Sequence, residues 1–228
     1  MDGATVQSTG RVRELALALS QGLISMVDTC KELTAIEQQM LLDLAEQCVR
    51  CGFVDGNWCD PHAEWYPYEL RNIQACFVSL HSGDDLLGSI GTTEAKHPLV
   101  VEVARNAFDV ASLVAHRKKL LPTAENNLML EIAILTPLNF LSEQDLDGVA
   151  SHLQPGREGV FIRRLDRAAT FLPKMWEKHN NSTDFLRELC ARATFESGHW
   201  PEGTQVATFT TQNFSRILDE PLRKSVPR

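Results

Sequence analysis

The sequence predicts an α+β fold whose sheet is mostly antiparallel. Stretches with apolar residues at helical spacing alternate with short runs rich in β-branched and aromatic residues. Two pairs of these runs flank tight polar turns, within Ala75–Glu94 and within Val160–Leu172, and a hairpin pairs its strands antiparallel. The order helix, hairpin, helix, strand is followed by helix, hairpin, helices, strand. That layout hints at an internal duplication, although no tandem repeat is visible in the residues.

Residues 1 to about 10 are small and polar. Val12, Leu15, Leu19, Leu23 and Met26 recur at helical spacing, which predicts an amphipathic helix over Arg11–Thr29. Its apolar face can cover the sheet or dock on a partner. Thr34 and Glu37 form a capping-box pattern before a second helix, with Ile36, Met40, Leu44 and Cys48 on one face and Gly52 as its stop. Phe53–Arg71 is irregular, broken by Pro61 and Pro67. Its aromatics Trp58, Trp65 and Tyr66 can line a cleft or form a lid.

The first hairpin turns at Ser82-Gly83-Asp84-Asp85 and runs into Gly88-Ser89-Ile90-Gly91-Thr92. Two glycines around a small hydroxyl let a ligand or another chain approach the backbone, so a polar niche is expected there. His97-Pro98 opens a helix carrying Val101, Ala104, Phe108, Ala111 and Val114 on one stripe. Asn127–Leu135 alternates as a central strand, with Leu128, Leu130, Ile132 and Ile134 on one face and Met129, Glu131, Ala133 and Leu135 on the other.

Ser142 caps a short helix to His152, and Pro155-Gly156 makes a turn. Val160–Arg164 and Ala168–Leu172 form the second hairpin around Asp166. Pro173 starts a helix to Asn180, Thr183 caps another to Ala193, and Gln205–Phe214 is the last strand.

With 228 residues, 43% of them hydrophobic, the chain can build one well-cored domain. A net charge of -8 excludes a general nucleic-acid binder. The longest basic runs are Arg163-Arg164 and Arg117-Lys118-Lys119. No apolar stretch spans a bilayer, and the first residues lack a cleavable apolar core. Six scattered cysteines read as free thiols in a reducing compartment, so a soluble cytoplasmic protein is expected.

The string ACFVSLHSGDDLLGSIGT resembles the signature hairpin of the AMMECR domain family, called AmmeMemoRadiSam system protein A in microbes. The resemblance continues through HPLVVEVARNAFDVA, LMLEIAILTPL, LQPGREGVFIRR, ATFLPKMWEKHNNSTDFLRELCARA and TFTTQNF, over roughly residues 35 to 215. It implies one barrel-like, mostly antiparallel sheet with surrounding helices, a duplicated arrangement and a cleft beside the hairpin. It also implies an AMMECR-like domain over 34–216, between an N-terminal extension (1–33) and a short tail (217–228). Microbial relatives are encoded beside a Memo-like protein and a radical-SAM protein, which implies a shared pathway and makes both candidate partners. The family signature leucine-arginine-glycine-cysteine-isoleucine-glycine reads Leu86-Leu87-Gly88-Ser89-Ile90-Gly91 here. The family's aspartate-proline-arginine-phenylalanine segment reads Ala115-His116-Arg117-Lys118. Thiol chemistry therefore does not transfer to this chain.

Several residues are candidates for chemistry. Ser89 is a nucleophile if a base reaches its hydroxyl, and otherwise a small residue at a crowded crossing. Glu131, where the family also shows a glutamate, is an acid, base or acceptor in the cleft, or a structural ion pair with Arg157 or Arg105. His81, also matched in the family, is a second proton carrier or a turn residue. His97 reads as a helix-entry residue. Gly88, Gly91 and Thr92 are expected to wall the ligand, and Arg157, in a loop that matches the family, to clamp an anion. Cys48, Cys51, Cys59 and His62 have the chemistry of a zinc site, but Cys48 sits on the apolar stripe, so no metal or other cofactor is expected. The leading expectation is a small or peptide-like ligand bound beside Gly88–Thr92, with Glu131, His81 and Ser89 as the candidate catalytic groups. The alternative is an adaptor without chemistry that binds a protein such as a Memo-like partner.

Overall fold

The computed structural model describes residues 31–54, 56, 58, 60–118, 128–143, 145–195 and 200–218. The predicted helix over Arg11–Thr29 lies outside them. The chain divides into two units, 1–32 and 33–228, and the architecture below is that of the second.

Helix α1 (Ala35–Val54) opens on the expected capping box. Thr34 N donates to Glu37 Oε2 at 2.7 Å, and Glu37 N donates to Thr34 Oγ1 at 3.3 Å. The buried stripe is Leu41, Leu44, Ala45, Cys48 and Val49, one step round from the predicted face, which leaves Ile36 in solvent. Gly52 does not stop the helix. A Cβ there would lie 2.6 Å from the Phe108 carbonyl oxygen and 2.8 Å from Ala111 Cβ, so Gly52 is where α1 meets the next long helix.

Two 3-10 turns, Ala63–Trp65 and Tyr68–Arg71, lead into the hairpin β1 (Cys76–Ser82) and β2 (Asp85–Gly91). Helix α2 (Leu99–Lys118) buries Val103, Ala104, Ala107, Val110, Ala111 and Val114. Strand β3 (Leu128–Leu135) follows, then a short β4 (Asn139–Phe140). Helix α3 (Leu146–His152) is capped by Asp145, not Ser142: Gly148 N donates to Asp145 Oδ1 at 2.7 Å. The second hairpin is β5 (Gly159–Arg164) and β6 (Arg167–Phe171). A 3-10 helix (Pro173–Lys178) precedes α4 (Ser182–Arg192), whose cap is Asn181 instead of Thr183.

The segment read as one last strand is two. β7 (Gln205–Phe209) and β8 (Thr211–Ile217) break at Thr210 and enter different sheets. All named pairs are antiparallel, but the strands form two four-stranded sheets, β2-β1-β3-β8 and β4-β7-β5-β6, in place of one barrel-like sheet. No closing pair joins them among the described strands.

The register makes the duplication visible. In one sheet Phe77 faces Ala133, and in the other Phe161 faces Ala207. Carried along the strands, this equates Ser79 with Arg163, Glu131 with Gln205 and Ser89 with Ala168. Residues 131–140, EIAILTPLNF, then align with 205–214, QVATFTTQNF. Each copy sends its last strand into the other copy's sheet, at Thr136 and at Thr210. Thr136 N donates to the Thr210 carbonyl at 3.0 Å, and Thr210 N donates to Thr136 Oγ1 at 2.9 Å.

Three apolar clusters fill the layers. One lies between α1, α2 and the first sheet, built on residues such as Val78, Leu80, Leu130 and Ile132. A second lies between the other sheet and α3, α4 and the 3-10 helix. A third joins the inner faces of the sheets through Phe77, Leu135, Phe161, Ala207 and Phe209. Arg216 holds the edge strand β8 to α1 through Asp43 (2.6 Å) and Glu46 (2.8 Å). Burial disfavours the charged Glu46, but bonds from Arg50 and Arg216 outweigh it and hold that carboxyl below its ordinary range. No helix among the described residues is long and apolar enough to cross a membrane.

Candidate functional site

Along the inner face of the first sheet, apolar residues give way to polar ones. Phe77, Ala133 and Leu135 belong to or border the inter-sheet layer. One step further, Ser79 faces Glu131, and then His81 faces Met129. The alternation of β1 and β3 sets this side, because the residues between them are committed to the helix-covered core.

Glu131 is the hub of this region. Its side chain is 17% exposed. Oε2 stands 2.9 Å from His81 Nε2 and accepts a 3.1 Å bond from Lys174 Nζ. The His81 approach is too bent for a hydrogen bond, so Nε2 lies within ion-pair distance of the carboxylate yet has no hydrogen-bond partner. His81 is 9% exposed, and Lys174, on the 3-10 helix, is 50% exposed. Two nitrogen groups thus converge on one sheltered carboxylate, and one of them can swing away.

An open cleft of about 730 Å³ lies in front of Glu131. Its walls include Pro155 and Gly156, Lys174 and Glu177 of the 3-10 helix, and a run of His179, Asn180 and Asn181, with Asn213 from β8. Trp176 closes the back, stacked on Phe185 at 3.8 Å between centroids, and its Nε1 donates to the Glu158 carbonyl at 2.7 Å. His179 packs against the Phe171 and Phe185 rings, which also touch each other.

The other predicted site residues are placed differently. Ser89 is exposed and hydrogen-bonds Ser79 at 2.9 Å, which ties it to the Glu131 row without an imidazole on its hydroxyl. Gly88, Gly91 and Thr92 do not line the cleft. A Cβ on Gly88 would lie 3.1 Å from Val114 Cγ2, and one on Gly91 would strike the Cys76 carbonyl and the Phe77 ring. Thr92 makes a turn, its Oγ1 accepting from Glu94 N at 3.0 Å. Arg157 follows the two cleft-lining turn residues, but its guanidinium folds onto Gln154 Oε1 at 3.3 Å. The partner of Glu131 is therefore Lys174, and neither Arg157 nor Arg105. Arg105 contacts His97 at 3.2 Å.

Of the possible zinc set, Cys48 is buried in the helix-side core, His62 stacks on Trp65 at 4.5 Å, and Cys59 lies outside the described residues. Among the described residues no group of three or more His, Cys, Asp or Glu is placed to hold a metal ion.

The AMMECR1 family model matches residues 42–214, which takes in both sheets and the cleft. The chain belongs to the AMMECR1 family. Its AMMECR1 relatives include protein MJ0810 of Methanocaldococcus jannaschii, 24% identical over 158 residues, covering 68% of this chain and 79% of that protein. Protein MK0488 of Methanopyrus kandleri is 26% identical over 161 residues, covering 68% and 78%. The crystal structure of the uncharacterized protein PH0010 from Pyrococcus horikoshii shares the fold, with a TM-score of 0.69 at 24% identity over 80% of this chain and 93% of that one.

Sequence reasoning named Glu131 and His81 as candidates but not Lys174, Ser79 and the asparagines that the structure places near them. Lys174 lies 43 residues from Glu131 and reads only as the second residue of a helix. The one available signal was the dense polar run His179-Asn180-Asn181 directly after it.

Proposed function

We propose that this AMMECR1-family chain binds a small or peptide-like polar ligand in the cleft at Glu131, and that His81 and Glu131 exchange a proton with it. The carrying observation is the sheltered Glu131 carboxylate, which lines the cleft together with Lys174 and has His81, outside the lining, 2.9 Å away. A carboxylate in hydrogen-bond reach of a ligand and an imidazole behind it are the parts of an acid–base pair. The duplication supplies an internal control. At the equivalent positions the second copy carries Gln205 and Arg163, with Arg163 Nη2 donating to Gln205 Oε1 at 3.0 Å. The architecture therefore does not require an acid at this point in the sheet. Ser89 and Ser79 extend the polar row toward the hairpin edge and are assigned no nucleophilic role.

Native mass spectrometry of the purified chain tests this. A co-purifying ligand should be held by the wild type and lost in both Glu131→Gln and His81→Asn. Retention in both variants would remove the site.

A second reading is an adaptor, for which the family resemblance implies a Memo-like partner. It is favoured by one observation: Trp65, Tyr68 and Ile73 stand exposed within nine residues, Trp65 at 74%. A Trp65→Ala, Tyr68→Ala double variant that loses a co-purifying protein but keeps the cleft ligand would support it.

A further inference from the structure

The cleft at Glu131 has a charge pattern that selects its ligand. Its lining holds two carboxylates, Glu131 and Glu177, against one ammonium, Lys174. An incoming phosphate or carboxylate would meet two like charges at close range. Asn180 and Asn213 also line the cleft, while Asn181 is committed to capping α4, its Oδ1 accepting from Asp184 N at 2.8 Å. Trp176, in the back wall, is only 6% exposed, so it offers no free ring face. Stacking of a flat ring is therefore not the recognition mode.

Lys174 itself indicates what the site takes. Its ammonium reaches Glu131 on a long arm that is half in solvent, and it bonds only Oε2. A carboxylate as sheltered as Glu131 holds its charge at a cost unless a cation is near. A second ammonium arriving in the cleft can take the place of Lys174 with no net change in charge at Glu131.

Resting on the reading of the cleft given above, we propose that its ligand is recognised by a primary ammonium group next to an amide, as at the amino end of a peptide or in a small amino amide. Lys174 is the internal stand-in that this group displaces. The cleft volume of about 730 Å³ accommodates a ligand of that size. The amide groups of Asn180 and Asn213 match the donor and acceptor of the amide that follows the ammonium.

The test is a titration of the isotopically labelled full chain with glycinamide, N-acetylglycinamide and acetate, followed by amide chemical shifts. Glycinamide should shift the signals of Glu131, Asn180 and Asn213, whereas N-acetylglycinamide and acetate should not. An exposed ion pair worth up to about 1 kcal/mol competes with the ligand by up to about fivefold. Lys174→Met should therefore bind glycinamide about two- to fivefold more tightly, and Glu131→Gln should not bind it. Glycyl-glycinamide separates the two sources: tighter binding than glycinamide assigns a peptide end, and equal binding a small amine. If N-acetylglycinamide binds the same residues as tightly as glycinamide, the ammonium assignment is overturned and the cleft reading stands. If no probe shifts those residues, in Lys174→Met as in the wild type, both fall.

Discussion

Replacing Glu131 by glutamine separates a functional carboxylate from a structural one. The change keeps the shape and removes the charge. Lys174 is half exposed, so its pair with Glu131 contributes only about 0–1 kcal/mol. Against this, the amide no longer bears the cost of sheltering a charge from water. The bent His81 contact adds no directed bond to lose. The two effects oppose each other, and the net change in stability should stay within about 1 kcal/mol. With a urea dependence of about 1–3 kcal/mol per molar, that is a midpoint shift below about 1 M. A structural hub behaves otherwise, since breaking a buried ion pair costs about 3–5 kcal/mol and moves the midpoint by about 1 M or more. Urea unfolding of wild type and Glu131→Gln, followed by far-UV circular dichroism, reads the difference, provided both show the same slope. A midpoint loss above about 1 M together with unchanged ligand retention would refute the reasoning, because Glu131 would then be holding the sheets together and nothing more.

Three further outcomes follow from the packing. Gly52→Ala should destabilise: the gain in helix propensity is about 1 kcal/mol, but the new methyl would sit 2.6 Å from the Phe108 carbonyl, an overpacking that costs about 1–3 kcal/mol or more. Equal or higher thermal stability would contradict the close helix crossing. Thr34→Ala should lose about 1 kcal/mol through the two bonds of its hydroxyl to Glu37, read by the same urea assay. Cys76 is buried, and this pushes its thiol up to about 12, with Asn106 opposing and Glu102 adding to the shift. A folded value above the unfolded one of about 9.0 means that this stability is complete below pH 9 and is lost as pH rises toward 12. The urea midpoint should therefore fall more steeply over that interval in the wild type than in Cys76→Ala. Iodoacetamide at pH 8 should leave native Cys76 unmodified.

What the sequence made legible follows from how local each signal is. The capping box, the two hairpins and the alternation of the central strand depend on residues a few positions apart, and all appear as expected. The helix caps at Asp145 and Asn181 were displaced by a few residues, because Ser, Thr, Asp and Asn near one another compete for the same role. The division of Gln205–Phe214 was hidden because no glycine, proline or charged residue marks the break at Thr210. The pairing of Gln205–Phe209 with β5 and of Thr211–Ile217 with β3, joined by the Thr136–Thr210 bonds, shows that the strand changes sheets there. Gly88 and Gly91 carried a true signal with two causes. Glycine marks a close approach of backbone, and here the approaching groups are Val110, Val114 and Cys76 of the same chain.

The duplication sharpens where the chemistry lies. Both copies place phenylalanine opposite alanine in the inter-sheet layer, and both cross at a threonine, so these positions answer to the architecture. The next row on each inner face is under no such demand, and there the copies part. One has Ser79 and Glu131, and the other Arg163 and Gln205. The residues that reach over from behind each hairpin also differ in sign: Lys174 comes to Glu131, while Glu94 comes to Arg163 at 3.3 Å. Glu131 meets a cation and Arg163 an anion, so the two sites are built on opposite charges. At Glu131 an imidazole stands at the carboxylate and an open cleft lies before it. A fold that solves the same packing problem twice, once with an acid and once without, supports the proposal that Glu131 serves a ligand.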